Sequence, residues 1–298
     1  MSLNLFLPAH SPNTKLPVLF YLSGLTCTGD NCAEKGFLQP AAARAGIAIV
    51  YPDTSPRGAS VAGEDDSWDF GTGAGFYVDA TTPAFKTNYN MYSYITQELP
   101  GLLWPAFPQL DSSRVSVTGH SMGGHGALTL ALRNPGMFRS VSAFAPIANP
   151  CECAWGKKAF SGYLGDDAAA WKKYDATELL RESKNAEFKA LVDVGTGDGF
   201  YKEGQLRPEV LEAAGKDVGA DVQVRYQKVG VDSPGLWARA DGHRITITAI
   251  TSSRRSPRTT STTTQSSCAS RVALELEVSV EDSDRTLLLR TYNVPMEP

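Results

Sequence analysis

The fold is decided by the stretch Gly119-His120-Ser121-Met122-Gly123-Gly124-His125-Gly126, a G-x-S-x-G pattern that directly follows the β-branched run at 115–117. In a nucleophile elbow a strand turns sharply into a helix, the serine takes a strained backbone conformation, and small flanking residues prevent a clash. Gly119 and Gly123 supply those flanks, and residues 127–132 favour a helix. The pattern predicts strand, turn and helix with Ser121 as a nucleophile; the alternative is an inert serine in a glycine-rich turn.

Strand and helix patterns alternate on both sides of this elbow. Continuous apolar runs bounded by turn residues indicate strands buried on both faces. Predicted strands cover 15–22, 47–52, 114–118, 141–146, 190–195 and 222–226, and predicted helices cover 35–45, 88–103 and 208–214. Strands separated by helices imply an α/β fold with a mostly parallel sheet covered on both faces.

The composition limits the classes of function. The 298 residues are 42% hydrophobic and 20% charged, which suits one α/β domain. A net charge of −4 favours a small-molecule substrate over nucleic acid. No apolar run approaches the roughly 18 residues of a membrane span, and the N-terminus lacks the basic segment of a signal peptide. We therefore expect a cytoplasmic protein with no nucleic-acid partner and no membrane contact.

The cysteines agree with a reducing compartment, because they are sparse and odd in number. Cys151 and Cys153 are too close in sequence for an ordinary bridge, and no histidine cluster suggests zinc. We expect structural thiols, no metal and no cofactor. The five cysteines are Cys27, Cys32, Cys151, Cys153 and Cys268.

A serine nucleophile needs a base, an acid that orients the base, and donors for the oxyanion. Asp198 is the preferred acid because it lies in a glycine-rich loop after a predicted strand, where active-site residues of open α/β sheets collect; Asp193, inside the strand, is the weaker candidate. The backbone N–H of Met122 and that of Leu25, which follows Gly24, are the expected oxyanion donors. The alternative for the Gly24 loop is an ordinary turn.

The base is the missing part. Of the four histidines, His120 and His125 belong to the elbow, where we expect them to support the turn, and His10 precedes the first complete strand. Only His243 follows the acid in the required order. It lies beyond Lys228, where the globular pattern ends and fourteen of the twenty-two residues at 246–267 are Ser or Thr. Such a composition predicts a disordered tail over 228–298.

Four further motifs make the chain recognisable over about residues 5–227. It resembles the S-formylglutathione hydrolases, also called esterase D, which are cytosolic α/β-hydrolase thioesterases, usually dimeric, that release glutathione and formate. The motifs, in chain order, are 22–28 (LSGLTCT), 52–58 (PDTSPRG), 67–77 (SWDFGTGAGFY) and 155–165 (WGKKAFSGYLG).

The resemblance implies a role for each matching position. Ser121 matches the family's nucleophile, Asp198 its acid, and Leu25 and Met122 its oxyanion-hole backbone. Cys27 matches a thiol near the active site; the alternative for it is a small buried apolar residue. The resemblance also implies a homodimer. Trp155, Lys157 and Lys158 are expected neighbours of the cleft.

Two departures from the family pattern stand out. The segment that family members carry before the position of Leu5, including a first strand pair, is absent, which puts one sheet edge in doubt. The family's Asp-His-Ser-Tyr-Tyr-Phe segment, whose histidine is the base, and its histidine-rich last helix are absent as written. We therefore expect the C-terminal strand and helix of the fold to be missing or disordered, and the triad histidine to be absent in the printed frame.

The missing segment reappears when the reading frame is shifted. Threonine codons are ACN and isoleucine codons begin AU, so reading from the third base of the preceding codon gives Tyr, His, Asn or Asp. Residues 245–252 then permit Asp-His-Asp-His-Ser-Tyr-Tyr-Phe, and residues 259–268 permit Asp-His-Val-Asn-His-His-Ala-Glu-Phe-Leu. The recovery of two family motifs in one shifted frame predicts that residues 228 to about 242 are a retained intron or insertion and that later residues are out of frame.

Three functional interpretations follow from the sequence. The first is a thioesterase for S-formylglutathione whose transcript or gene model is damaged. The second is a broader carboxylesterase for short acyl esters. The third is a pseudo-hydrolase that only binds or dimerises.

Overall fold

The computed structural model describes residues 1–228, 239–241, 244–246, 274–280 and 287–293. The strands are β1 Leu3–Phe6, β2 Leu16–Leu22, β3 Ala48–Pro52, β4 Leu110–His120, β5 Val141–Phe144, β6 Lys189–Gly195, β7 Asp221–Gln227, β8 Arg239–Asp241, β9 Arg244–Thr246, β10 Leu274–Val280 and β11 Leu287–Asn293. The helices are α1 Gly29–Gly36, α2 Gln39–Ala45, α3 Met91–Ser93, α4 Leu99–Ala106, α5 Met122–Arg133, α6 Ala154–Leu164, α7 Ala168–Lys172, α8 Ala176–Ser183, α9 Gly199–Lys202 and α10 Pro208–Val218.

The main sheet has the strand order β11-β10-β1-β3-β2-β4-β5-β6-β7. The six consecutive strands β3, β2, β4, β5, β6 and β7 are parallel to one another. β1 pairs antiparallel with β3. The prediction of an α/β fold with a mostly parallel sheet is confirmed. All parallel strands therefore end at one edge of the sheet, where the loops after β2, β4 and β6 lie.

Both faces of the sheet are covered, as the continuous apolar runs predict. Successive side chains of a strand point to opposite faces. In β3, Ala48 and Val50 pack in the large core, whereas Ile49 and Tyr51 pack in a second cluster with Tyr21, Leu38 and Phe144. This two-sided burial holds the strand ends, and so the candidate site, on a rigid support.

Two helix predictions differ in detail from the structure. The predicted helix 35–45 is two helices, α1 and α2, because Phe37 takes a left-handed conformation (φ 49°) and Pro40 fits the first turn of a new helix. The predicted helix 88–103 begins at Met91, contains a π-helical turn at Tyr94–Glu98 and ends at Ala106. Within the part of the chain that the structure describes, no helix is long and apolar enough to cross a bilayer.

Four strands lie in the segment predicted to be disordered. β8 pairs with β9, while β10 pairs antiparallel with β11 and with β1. The disorder predicted for the segment as a whole stays a prediction. The signal for β10 is the alternation of apolar and polar residues in 274–280 (LELEVSV), typical of a strand but set beside a Ser/Thr-rich stretch.

This pairing also answers the question of the sheet edge, since β1 lies between β3 and β10. The other residues of 228–298, apart from Lys228, lie outside those described. The predicted absence of the family's last strand and helix stays a prediction.

Candidate active site

The elbow has the geometry that its sequence predicts. β4 ends at His120, α5 begins at Met122, and Ser121 between them has φ 56° and ψ −117°. A positive φ is uncommon in a residue other than glycine and marks a strained turn. The surrounding structure holds Ser121 there, because its N–H donates to the carbonyl of Phe144 (2.9 Å) and its carbonyl accepts from the N–H of Ile147 (3.3 Å).

The two flanking glycines are required by close backbone contacts. A Cβ on Gly119 would lie 2.2 Å from the carbonyl oxygen of Gly123, and a Cβ on Gly123 would lie 2.0 Å from that of Leu22. No side chain fits at such distances. The glycines thus let α5 fold back onto β4 and β2, which brings Ser121 to the end of the central strands.

The loop after β2 lies against the serine. A Cβ on Gly24 would lie 3.3 Å from that of Ser121, so the absence of a side chain at Gly24 permits close approach. The backbone N–H of Leu25 forms no hydrogen bond with any described residue. Met122 is the first residue of α5, so its backbone N–H has no partner within the helix. Both predicted donors are therefore available beside Ser121.

Tyr77 supports this loop and was not found from the sequence. Its hydroxyl donates to the carbonyl of Ser23 (2.9 Å), and a Cβ on Gly126 would lie 2.5 Å from its ring. The ring is completely buried against α5. Tyr77 thus fixes the loop relative to the elbow through contacts between residues far apart in the chain, which local sequence patterns do not reveal.

Asp198 and Asp193 have different environments. Asp193 is buried in β6, where Arg225 pairs with its carboxylate and the side chain of Gln227 donates to it (2.8 Å). Asp198 caps α9, and its Oδ1 accepts the N–H of Phe200 (2.8 Å) and of Tyr201 (3.4 Å). The Asp193 carboxylate is therefore occupied by structural partners, whereas Asp198 remains the candidate acid at the loop after β6.

Of the two histidines in the elbow, His125 is buried and His120 is partly buried, and the pKa of each is lowered. His125 hydrogen-bonds through Nε2 to the carbonyl of Phe76 (2.9 Å), and burial lowers its pKa to about 4. Burial also lowers the pKa of His120, an effect that the Asp198 carboxylate partly opposes. Both are thus neutral at pH 7, and His125 supports the turn as predicted, while His120 makes no side-chain hydrogen bond to any described residue.

The remaining histidines are His10 and His243. His10 is exposed and its Nδ1 contacts the carbonyl of Pro8 (2.8 Å), in the turn that follows β1. His243 lies outside the described residues. Within the described part of the chain, no histidine therefore comes after Asp198 in the sequence.

Cys27 lies in the same loop as the oxyanion candidates. Its carbonyl accepts from the hydroxyl of Thr54 (2.5 Å) and from the guanidinium of Arg57 (3.3 Å). Burial raises the pKa of its thiol, an effect that Lys35 and Arg57 partly oppose. The thiol is therefore largely protonated at pH 7, which disfavours it as a nucleophile in place of Ser121.

No group of three or more His, Cys, Asp or Glu within the described residues is arranged to hold a metal ion.

Comparison with known proteins decides the family. Residues 1–234 match a family model described as a putative esterase. The S-formylglutathione hydrolase of Mus musculus is 53% identical over 228 residues, which cover 76% of this chain and 80% of that protein. The chain belongs to the S-formylglutathione hydrolase family. The family's Arabidopsis thaliana member is 54% identical over 220 residues, covering 74% of this chain and 77% of that protein.

Solved structures agree with this family. The S-formylglutathione hydrolase of Agrobacterium tumefaciens superposes with a TM-score of 0.72 at 45% identity, covering 76% of this chain and 80% of that chain. A fluorophosphonate-binding serine hydrolase of Staphylococcus aureus, 17% identical, superposes with a TM-score of 0.58, covering 77% of this chain and 85% of that chain, and so shares the fold.

Proposed function

We propose that this chain is built to hydrolyse S-formylglutathione to glutathione and formate, with Ser121 as the nucleophile. The observation that carries the proposal is the strained Ser121 beside Gly24, at the end of the parallel strands, in a member of this esterase family. Asp198 follows β6, which is separated from β4 by β5, at the same edge of the sheet. These placements suit the acyl transfer that a serine nucleophile performs.

In the proposed reaction Ser121 Oγ attacks the formyl carbonyl while a base takes its proton. The N–H groups of Leu25 and Met122 stabilise the oxyanion that forms. The C–S bond then breaks, and the sulfur of glutathione leaves with a proton from the base. Water attacks the formyl-serine with the same base, which releases formate and restores the Ser121 hydroxyl.

The pairing of β6 with β7 supports a position for the base. β6 and β7 are parallel neighbours whose last residues, Gly195 and Gln227, are paired, and the Thr196 N–H donates to the carbonyl of Gln227 (2.9 Å). A loop that leaves β7 therefore starts beside the loop that carries Asp198. We propose that the triad histidine belongs to this loop and that the printed frame lacks it, since the sequence resemblance ends at about Gln227 and the family-model match at residue 234.

Substrate preference separates the thioesterase from a general carboxylesterase. We expect kcat/KM for S-formylglutathione to exceed that for a short aryl acetate by about tenfold or more, because the thiol leaving group contributes binding energy that the aryl group lacks. Steady-state hydrolysis of both substrates by a chain that carries the histidine measures this ratio. A preference for the aryl ester would support the carboxylesterase, and no hydrolysis of either would support the pseudo-hydrolase.

We also propose a cytoplasmic location and a homodimer. The four cysteines of the described residues, Cys27, Cys32, Cys151 and Cys153, are free thiols, which agrees with a reducing compartment. The dimer rests on the family resemblance alone. Light scattering on the purified protein measures the mass in solution, and a monomer at micromolar concentration would contradict the dimer.

A further inference from the structure

Three aromatic side chains form a continuous ridge, named here the aromatic ridge: Trp68, Trp155 and Phe200. The rings of Trp68 and Trp155 meet edge to face with centroids 5.8 Å apart, and those of Trp155 and Phe200 are 4.7 Å apart. Trp155 is buried, but Trp68 is 57% exposed and Phe200 is 46% exposed. The two exposed rings, Trp68 and Phe200, each pack against the buried Trp155, and such an exposed apolar surface is a candidate binding surface.

The ridge extends between the two loops of the candidate site. At one end, Phe200 follows Asp198 and donates its N–H to that carboxylate (2.8 Å). At the other end, Trp68 belongs to the loop whose Gly73 carbonyl accepts the N–H of Thr26 (2.8 Å), in the oxyanion loop. The ridge is therefore linked at one end to the loop of Asp198 and at the other to the oxyanion loop.

Both ends of the ridge are fixed to α6. The backbone N–H of Trp155 donates to the side-chain oxygen of Gln205 (3.2 Å). The backbone N–H of Gln205 in turn donates to the carbonyl of Phe200 (2.9 Å). Lys158 donates to Ser67 (2.7 Å) and pairs with Asp69, the two neighbours of Trp68. The rings are thus held in place before a ligand arrives, which lowers the entropic cost of binding.

The nearby lysines are already paired. Lys158 pairs with Asp69, and the Lys157 ammonium lies 3.3 Å from the Glu152 carboxylate. Neither lysine offers an unpaired charge to a ligand carboxylate. Even if these two lysines line the cleft, as expected, they are not its anion-binding groups. The contact that the ridge offers to a ligand is aromatic.

We propose that the aromatic ridge binds the peptidic part of the thiol leaving group, through contact with its planar amides and methylene groups rather than through ion pairs. This inference rests on the proposed function. The formyl group is a single carbon and needs no extended surface, so the part of the substrate that reaches the ridge is the glutathione part. Apolar and aromatic walls with few polar groups are typical of small-molecule sites.

Binding of S-methylglutathione, a thioether that a serine cannot cleave, tests the ridge in the full chain. We expect Trp68→Ala and Phe200→Ala each to raise its dissociation constant about fivefold, the size of one aromatic contact. Trp68→Phe keeps a ring and is expected to retain most of the affinity. Isothermal titration calorimetry measures the constants.

Two control variants have a defined expectation. Lys157→Gln removes an exposed ion pair and is expected to change the constant by less than about twofold. Leu102→Ala removes an exposed apolar side chain from α4, which leads into the N-terminal end of β4, opposite to Ser121, and is expected to change nothing.

The proposed role of the ridge is contradicted if both alanine variants bind S-methylglutathione as tightly as the unsubstituted chain, or if Lys157→Gln weakens binding more than either alanine variant does. If the ridge variants do not affect binding but a histidine-bearing chain hydrolyses S-formylglutathione, only the role of the ridge is contradicted and the proposed function stands. If the unsubstituted chain neither binds S-methylglutathione nor, with the histidine present, hydrolyses S-formylglutathione, both proposals fail.

Discussion

Joining residues 1–227 to the shifted-frame translation of the segment after Arg244 is expected to raise kcat/KM for S-formylglutathione by about 10⁴-fold over the printed chain. The shifted frame permits a histidine in the segment that would then follow β7, beside the loop of Asp198. Members of a serine triad act as a unit, so the loss of the base removes most of the catalysis. Steady-state kinetics of the two chains at equal concentration measure the ratio.

Two controls accompany this comparison. Ser121→Ala in the joined chain is expected to return the rate to that of the printed chain, because nucleophile and base fail together. Equal rates for the printed and joined chains would contradict the assignment of the missing base. Sequencing the transcript and its gene across residues 227–244 tests the origin of the change, and an uninterrupted exon in the printed frame would overturn the frameshift.

Gly123→Ala is the second substitution with a large expected effect. The new Cβ would lie 2.0 Å from the carbonyl oxygen of Leu22 and 2.7 Å from that of Ser23, both backbone atoms at the end of the central strand β2. We expect α5 to be pushed away at a cost of about 3 kcal/mol. That cost corresponds to a fall in Tm of about 10 °C for a domain of this size, measured by thermal unfolding.

Gly101→Ala is the matched control, because it adds the same methyl group to α4, where nothing lies within 4 Å of the new Cβ. Alanine favours a helix over glycine by about 1 kcal/mol, so the Tm of this variant is expected to rise slightly. A Tm for Gly123→Ala within about 2 °C of the unsubstituted protein would show that the elbow tolerates a side chain.

The parts of the fold that depend on local patterns were predictable. The apolar runs indicated the parallel strands, and the G-x-S-x-G pattern indicated the turn at Ser121. The antiparallel strand β1 has only four residues, too few for a clear periodicity. The break between α1 and α2 depends on one left-handed residue, Phe37, whose side chain gives no sign of it.

Candidate site residues could be predicted where loops follow strands in a fixed order, and their roles stay predictions. Asp198 and Leu25 come from such loops. Trp155 was expected near the cleft, but the roles of Tyr77, Trp68 and Phe200 were not found, since they depend on contacts between distant segments. The Tyr77 hydroxyl and the Ser23 carbonyl that it reaches are 54 residues apart in the chain. The pairing of Lys157 and Lys158 with carboxylates was equally invisible in the sequence.

The most direct test of the central claim is covalent labelling by a fluorophosphonate, followed by mass spectrometry of the intact chain and of its peptides. For the histidine-bearing chain we expect one adduct per molecule, on the peptide that contains Ser121. For the printed chain we expect the same site to react at least about 100-fold more slowly, because no base activates the hydroxyl. An adduct on another residue, or equal rates for the two chains, would contradict the account of Ser121 as a nucleophile that has lost its histidine.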